Sequence, residues 1–112
     1  MITEYSHIFS KSSLGIIAGP CVIESREHTI KIAEELSKIS ERIGIPIVFK
    51  SSFDKANRSS ISSYRGVGLN KGLDILNDVK HIVGVSITTD IHEASQASKV
   101  GEVVDIIQIP AF

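Results

Sequence analysis

Cysteine, tryptophan and long apolar runs are scarce or missing in this sequence of 112 residues. It contains one cysteine and no tryptophan, and aromatic residues make up 5% of it. A single cysteine excludes an internal disulfide, and no apolar run approaches the roughly 20 residues that span a bilayer. Residues 1–7 also lack the basic and apolar regions of a signal peptide. We therefore expect a cytoplasmic protein with no membrane partner.

An excess of charge of one sign is missing as well. Twelve lysines and arginines nearly balance 13 acidic residues, for a net charge of -1. A protein that binds nucleic acid usually carries a broad basic face, so we expect no nucleic-acid partner. The apolar fraction of 42% fits one soluble globular unit, so we take residues 1–112 as a single domain.

Strand and helix patterns alternate along the chain. An apolar run at 14–19, ended by Gly19-Pro20, predicts a strand buried on both faces. Ser25 is a suitable N-cap for a helix with an apolar stripe that ends at Gly44. Further strands are predicted at 47–49, 85–88 and 103–109, and further helices at 69–82 and 94–100. The order β-α-β-α-β-α-β predicts a parallel sheet, preceded by an N-terminal extension at 1–13.

Two architectures fit four strands and three helices. One is a small open α/β sheet, and the other is half of a (β/α)8 barrel, which takes roughly 250 residues when complete. The sequence given ends at Phe112, directly after the fourth predicted strand. Secondary-structure propensity alone does not choose between the two.

Polar clusters follow all four predicted strands. They occupy residues 19–25, 49–60, 89–93 and 108–112. In parallel α/β folds, ligands bind where the strands reach their carboxyl ends. We therefore expect the four clusters to converge on one shared site.

The second cluster is the richest in charge. Lys50, Lys55 and Arg58 are interleaved with hydroxyl groups and with the amide of Asn57. Such groups form charge-assisted hydrogen bonds with phosphate and carboxylate oxygens, which indicates a small polyanionic ligand. A solvated surface face is the alternative interpretation.

The other clusters also have structural explanations. Cys21 fits an inert small residue or a thiolate ligand of a divalent metal. Asp90 could cap the third helix, and His92 is typical of a surface residue in a first helical turn. Gln108 is also explained by bonds to backbone groups at a strand end.

Taken together, the clusters resemble the family of 3-deoxy-D-manno-octulosonate 8-phosphate synthase (2-dehydro-3-deoxyphosphooctonate aldolase). The segment Phe-Lys-Ser-Ser-Phe-Asp-Lys-Ala-Asn-Arg-Ser-Ser at 49–60 is the most specific, because it separates this family from the related 3-deoxy-arabino-heptulosonate 7-phosphate synthase. The other matching segments lie at 18–25, 89–93 and 107–112. The resemblance implies a TIM (β/α)8 barrel, of which residues 14–112 form about the first half.

The resemblance also implies a reaction. The family comprises transferases that condense phosphoenolpyruvate with D-arabinose 5-phosphate and release phosphate, a step of bacterial lipopolysaccharide biosynthesis. By this resemblance, Lys55 with Ser52 and Gln108 holds the phosphoenolpyruvate carboxylate, and Lys50 lies beside the reacting centre.

Further roles follow from the same resemblance. Asn57 and Asp90 would position the sugar hydroxyls and aldehyde. Arg58 and Ser59 would bind the sugar phosphate, at a site that the family shares with a neighbouring subunit of a homotetramer. Family members with a cysteine at the position of Cys21 use a divalent metal, so the resemblance implies a metal-dependent enzyme.

The family's remaining metal ligands and phosphate-binding residues belong to a C-terminal half that this sequence does not contain. We therefore expect the chain to be inactive alone, either as a portion that needs its missing half or as a decayed product. Two alternatives remain open: a flavodoxin-like module that binds a phosphorylated ligand, and the related heptulosonate phosphate synthase.

Overall fold

The computed structural model describes residues 10, 14–56 and 60–111. The regular elements, in chain order, are β1 (Ile16–Ala18), α1 (Arg26–Ile43), β2 (Ile47–Lys50), α2 (Leu69–Val83), β3 (Ser86–Asp90), a 3₁₀ turn (Ala94–Gln96), α3 (Ala97–Gly101) and β4 (Ile106–Gln108). The predicted α/β class with four strands and three helices is confirmed. Apart from Ser10, the N-terminal extension predicted for residues 1–13 lies outside the described residues.

The four strands form one parallel sheet in the order β1-β2-β3-β4. Helices α1 and α2 contact each other, and each contacts a strand of the sheet. A flavodoxin-like sheet has the order 2-1-3-4-5, in which the chain reverses direction across the sheet. The consecutive order of the described strands does not fit that arrangement, so the flavodoxin-like alternative is wrong.

The ends of α1 are set by local interactions that the sequence predicted. The hydroxyl of Ser25 accepts a hydrogen bond from the backbone N–H of His28 at 3.1 Å, as an N-cap does. At the other end, Gly44 adopts a left-handed conformation with φ of 69°, and its N–H donates to the carbonyl of Ser40. Helix α2 ends in the same way at Gly84, with φ of 77°.

The first strand differs from its prediction. It is three residues long rather than six, and its side chains are not buried on both faces. Ile16 is 36% exposed and Ile17 is 51% exposed. The physical reason is that β1 lies at an edge of the described sheet, with β2 as its only neighbouring strand. Apolar sequence indicated burial, but burial depends on neighbours that local sequence does not specify.

The last predicted helix differs in type from its prediction, and the last predicted strand is shorter than expected. The predicted helix at 94–100 is a 3₁₀ turn followed by the five residues of α3. The predicted strand at 103–109 narrows to β4, because the N–H groups of Val103 and Val104 both donate to the carbonyl of Val100 at 3.0 Å. These bonds continue the helical turn into residues whose composition favours a strand.

The core lies between the sheet and the helices. Phe49 and Ile87 of the sheet belong to one buried apolar cluster with Leu76 and Val79 of α2. Phe53, just after β2, joins this cluster and is 1% exposed. A Cβ added at Gly72 of α2 would lie 2.3 Å from the Cβ of Phe53, so only glycine allows this approach.

The loop after β2 is held closed at its base. The Arg65 guanidinium donates to both carboxylate oxygens of Asp54, from Nε at 2.8 Å and from Nη2 at 3.0 Å. The backbone N–H of Lys55 donates to the Arg65 carbonyl, and that of Gly68 donates to the Phe53 carbonyl. The hydrogen bonds from Arg65 are the main reason that the pKa of Asp54 lies below its ordinary value of 3.8.

Among the described residues, no helix combines the length and the apolar content that crossing a bilayer requires.

We predict that Gly72→Ala destabilises the protein even though alanine is the better helix former. The added methyl group would overlap Phe53, and overpacking of this kind costs about 1–3 kcal/mol against a helix-propensity gain of about 1 kcal/mol. Gly101→Ala is the matched control, since its added Cβ would meet Ile107 at an ordinary 3.6 Å. Urea denaturation checks both variants. Equal or greater stability of Gly72→Ala would contradict the close packing of α2 on Phe53.

We predict that Asp54→Asn lowers the free energy of unfolding at pH 7 by about 0.5–1 kcal/mol, a value limited by the partial exposure of the ion pair. Because the pKa of Asp54 is lowered on folding, its stabilisation is present above pH 3.8 and is lost as the pH falls through the lower folded value. The difference from the unmodified protein should therefore shrink in acid. Denaturation at pH 7 and near pH ~3 measures it, and Glu24→Gln, at an exposed carboxylate, is the control.

Candidate active site

The segments that follow the strands lie side by side at one edge of the sheet. Parallel pairing places Ala18 beside Phe49, Lys50 beside Thr88, and Asp90 beside Gln108. The first two segments remain paired beyond the strands: Ser52 bridges to Val22, and its carbonyl accepts the N–H of Ile23 at 2.9 Å. The polar residues after β1 and β2 are thereby held close together.

The hydroxyl of Ser52 is the centre of the site. Ser52 is fully buried, and its Oγ accepts hydrogen bonds from the Nζ of Lys50 at 3.1 Å and from the Nζ of Lys55 at 3.0 Å. The same hydroxyl donates to Oδ1 of Asp90 at 2.5 Å. A serine hydroxyl offers one donor and two acceptor positions, so these three bonds use its full capacity.

Charge is concentrated around this hydroxyl. Asp90 is 6% exposed, and its Oδ1 lies 3.7 Å from the Nζ of Lys50. A buried carboxylate needs hydrogen bonds and a countercharge, and here both are supplied. Lys55 adds a second positive charge through Ser52. Two ammonium groups beside one carboxylate leave a local positive excess, which favours an anionic ligand.

Two buried hydroxyl groups that sequence analysis did not single out fix this arrangement. Ser51 Oγ donates to the carbonyl of Pro20 at 2.9 Å, and Thr89 Oγ1 donates to the carbonyl of Ser51 at 2.7 Å. They tie the segment after β1 to β2, and β2 to β3. Gly19 allows the close approach, because an added Cβ would lie 1.7 Å from the carbonyl oxygen of Lys50. The sequence offered one indication of these buried roles. Side chains alternate along an extended segment, which turns Ser51 and Ser52 to opposite faces.

Asp90 does not cap the third helix. The residue at the N-cap of the 3₁₀ turn is Glu93, which forms a capping box with Gln96. Asp90 is instead the last residue of β3, with its carboxylate bonded to Ser52. The capping explanation of Asp90 is therefore wrong.

The surface interpretation of His92 is also wrong. Its side chain is 8% exposed, and its Nε2 lies 3.4 Å from Oδ2 of Asp90. The imidazole also meets the ring of Phe53 edge-on, with ring centroids 5.7 Å apart. His92 precedes the 3₁₀ turn rather than occupying its first turn.

Cys21 and Gln108 lie at the same edge of the sheet. The carbonyl of Cys21 accepts the N–H of Ser52 at 3.4 Å, and the carbonyl of Gln108 accepts the N–H of Ile91 at 3.1 Å. Both residues are exposed. The predicted site residues Asn57, Arg58 and Ser59 lie outside the described residues.

A divalent metal, as implied by the resemblance, needs several donor side chains around one point. Cys21 is a free and exposed cysteine. Within residues 10, 14–56 and 60–111, no group of three or more His, Cys, Asp or Glu side chains is placed to hold a metal ion. The described residues therefore do not form a metal site by themselves.

The sequence was also compared with known proteins. It is 57% identical over 99 residues to the 2-dehydro-3-deoxyphosphooctonate aldolase of Synechococcus sp., covering 88% of this chain and 35% of that protein. The protein of the same name from Pisum sativum is 52% identical over 108 residues, covering 96% of this chain and 37% of the relative. The protein of the same name from Campylobacter jejuni is 58% identical over 97 residues, covering 87% of this chain and 36% of the relative.

These comparisons confirm the resemblance seen in the four segments. The chain spans just over a third of the length of the curated relatives it matches. A family model described as the DAHP synthetase I family matches residues 7–112, which is nearly the whole chain. The chain belongs to the DAHP synthetase I family.

Proposed function

We propose that this chain forms part of an enzyme that condenses phosphoenolpyruvate with D-arabinose 5-phosphate to 3-deoxy-D-manno-octulosonate 8-phosphate and phosphate. The observation that carries the proposal is the buried Ser52 hydroxyl, which gathers Lys50, Lys55 and Asp90 at the carboxyl edge of a parallel sheet. The names of the relatives support an eight-carbon deoxy acid phosphate as the product of this enzyme.

In this reaction C3 of the enol attacks the aldehyde carbon of the sugar phosphate. Water adds to C2, the C2–O bond to the phosphoryl group breaks, and phosphate leaves with that oxygen. Both substrates are anionic and repel each other, so fixed positive groups are needed to hold them at reacting distance. We assign Lys50 to the neighbourhood of the reacting carbons, where charge develops.

The binding roles follow the geometry of the edge. Lys55 with Ser52 and Gln108 holds the phosphoenolpyruvate carboxylate, because an ammonium and a hydroxyl bind carboxylate oxygens strongly. A bound carboxylate would compete with Asp90 for the Ser52 hydroxyl proton, and the bond from Lys55 would then turn from Ser52 to the ligand. Asp90 would be freed to accept a hydroxyl hydrogen of the sugar.

The remaining roles belong to residues outside the described ranges. Asn57 is assigned with Asp90 to the sugar hydroxyls and aldehyde. Arg58 and Ser59 are assigned to the sugar phosphate, at a site completed by a neighbouring subunit of a homotetramer. The chemistry of the Arg58 side chain supports this assignment, because a guanidinium binds phosphate through paired hydrogen bonds.

We propose Cys21 as one ligand of a divalent metal whose other ligands the described residues do not supply. Such a metal would act as a Lewis acid toward an oxygen of the substrate or of water. Its remaining ligands would come from the part of the relatives that this chain does not span.

A (β/α)8 barrel is the architecture that we propose for the complete enzyme. The described strands follow one another in the sheet without reversal, and α1 packs beside α2, as consecutive units of a barrel do. In the described sheet β1 and β4 are the outer strands, and this chain alone would supply about half of that barrel. We therefore propose a cytoplasmic transferase of lipopolysaccharide biosynthesis, with this chain inactive until the rest of the barrel is present.

The second candidate is the related synthase that makes the seven-carbon heptulosonate phosphate. The matching family model, which carries the description DAHP synthetase I family, is the observation in its favour. Phosphoenolpyruvate contributes three carbons, so a seven-carbon product needs a four-carbon aldose phosphate in place of arabinose 5-phosphate. Comparing the two aldoses in the phosphate-release assay below separates the candidates.

We predict that Lys55→Ala weakens phosphoenolpyruvate binding to this chain about tenfold or more, since it removes a charged hydrogen-bond donor from the proposed carboxylate site. Lys71→Ala is the matched control, because Lys71 is an exposed lysine of α2 to which no ligand contact is assigned. Titration followed by backbone amide NMR measures both dissociation constants. Equal affinity of Lys55→Ala and the unmodified chain would overturn the assigned carboxylate site.

We predict no phosphate release when this chain alone is mixed with phosphoenolpyruvate, arabinose 5-phosphate and a divalent metal. Adding a segment that carries the remainder of a relative should restore phosphate release, because it would complete the barrel and the ligand set. Phosphate release should be restored equally well when this chain carries Lys71→Ala, whereas it should not be restored when the chain carries Lys55→Ala. Turnover by the chain alone would show that the missing portion is unnecessary.

A further inference from the structure

The His92 imidazole is a buried polar group without a hydrogen-bond partner among the described residues. Both ring nitrogens are shielded from solvent, and neither has a hydrogen-bond partner within the part of the chain that the structure describes. Leaving such groups unpaired in the interior is unfavourable, so native proteins rarely do so without a reason. The proposed function assigns roles to other residues of the site but none to His92.

The surroundings of His92 define where its hydrogen bond can go. Its Nε2 lies 3.4 Å from Oδ2 of Asp90, within reach of a hydrogen bond but without the alignment for one. The other oxygen of Asp90 already accepts the Ser52 hydroxyl. Oδ2 is therefore the acceptor that a small rotation of the imidazole would engage.

Packing restricts the ring to this region. Phe53 meets the imidazole edge-on, with an angle of 74° between the ring planes. Phe53 is itself held against Gly72 of α2. On the backbone side, the N–H of His92 donates to Oε1 of Gln96 at 2.8 Å. A ring that packs against Phe53, on a backbone fixed by Gln96, can make a small rotation more readily than a complete flip.

We infer that His92 is a positioning residue for Asp90. In the tautomer that carries its proton on Nε2, the imidazole donates to Oδ2 and fixes the plane of the carboxylate. Before a ligand binds, Ser52 and His92 then hold Asp90 by its two oxygens. When the phosphoenolpyruvate carboxylate draws the Ser52 hydroxyl away, the bond from His92 keeps the Asp90 carboxylate oriented toward the sugar. The role rests on the proposed function, in which Asp90 orients the hydroxyls and the aldehyde of the sugar.

The first test needs neither a variant nor a ligand. In this chain labelled with ¹⁵N histidine, long-range proton–nitrogen spectra distinguish the two neutral tautomers. We expect His92 to show the pattern of a proton on Nε2. A proton on Nδ1 would overturn the inference, because Nε2 could not then donate to Asp90.

The second test uses rescue by a conservative variant. Glutamine places an amide N–H near the position of Nε2, whereas asparagine places one near Nδ1. We therefore expect His92→Gln to keep the ¹³C shift of the Asp90 carboxyl close to that of the unmodified chain, and His92→Asn to move it. His81→Gln, at an exposed residue of α2, is the control for general effects. Equal shifts in His92→Gln and His92→Asn would contradict a donor at Nε2.

Titration with arabinose 5-phosphate links the inference to the proposed function. His92→Gln should bind within about twofold of the unmodified chain, and His92→Asn about tenfold more weakly. If the unmodified chain does not bind the sugar phosphate, the proposed function fails for this chain, while the tautomer and rescue measurements still decide the role of His92. Equal affinity of all three proteins would limit His92 to a structural role.

Discussion

The buried hydroxyl of Ser52 is the interaction on which the site depends. It stands between two lysine ammonium groups and one carboxylate, and it uses every hydrogen-bonding position it has. Without this hydroxyl, Asp90 would lose the short bond to Oδ1, and the two ammonium groups would lose their common acceptor. In a region of low dielectric, losing hydrogen bonds to charged groups costs more than losing a bond at the surface, although Lys50 would remain beside Asp90 as its countercharge.

The apolar scaffold places this hydroxyl at the sheet edge. Gly19 lets the segment after β1 approach β2 closely, and Gly72 lets α2 approach Phe53. Phe53 follows Ser52 in the chain, so the packing of α2 and the position of the site are mechanically linked. The Asp54–Arg65 pair then closes the loop immediately beyond. The geometry of the candidate site is thus supported by close backbone contacts as well as by charged groups.

The open edges of the sheet relate this structure to the longer relatives. Among the described strands, β1 pairs only with β2 and leaves Ile16 and Ile17 partly exposed, and β4 pairs only with β3. Exposed strand edges and apolar side chains are unfavourable in water and favour association. A complete barrel would cover both edges with further strands, which agrees with a chain that spans about a third of each relative.

The sequence alone determined the parts that depend on local physics. Ser25, Gly44 and Gly84 set helix ends through bonds within one turn, and the alternation of strands and helices implied the parallel sheet. Specific segments also indicated the family. Only the tertiary structure decided how exposed β1 is, that Asp90 bonds to Ser52, and that His92 is buried beside it. Residues 38 positions apart in the chain meet in that Ser52–Asp90 bond. Such contacts, and the burial that follows from them, depend on how whole elements pack, which no local pattern of residues encodes.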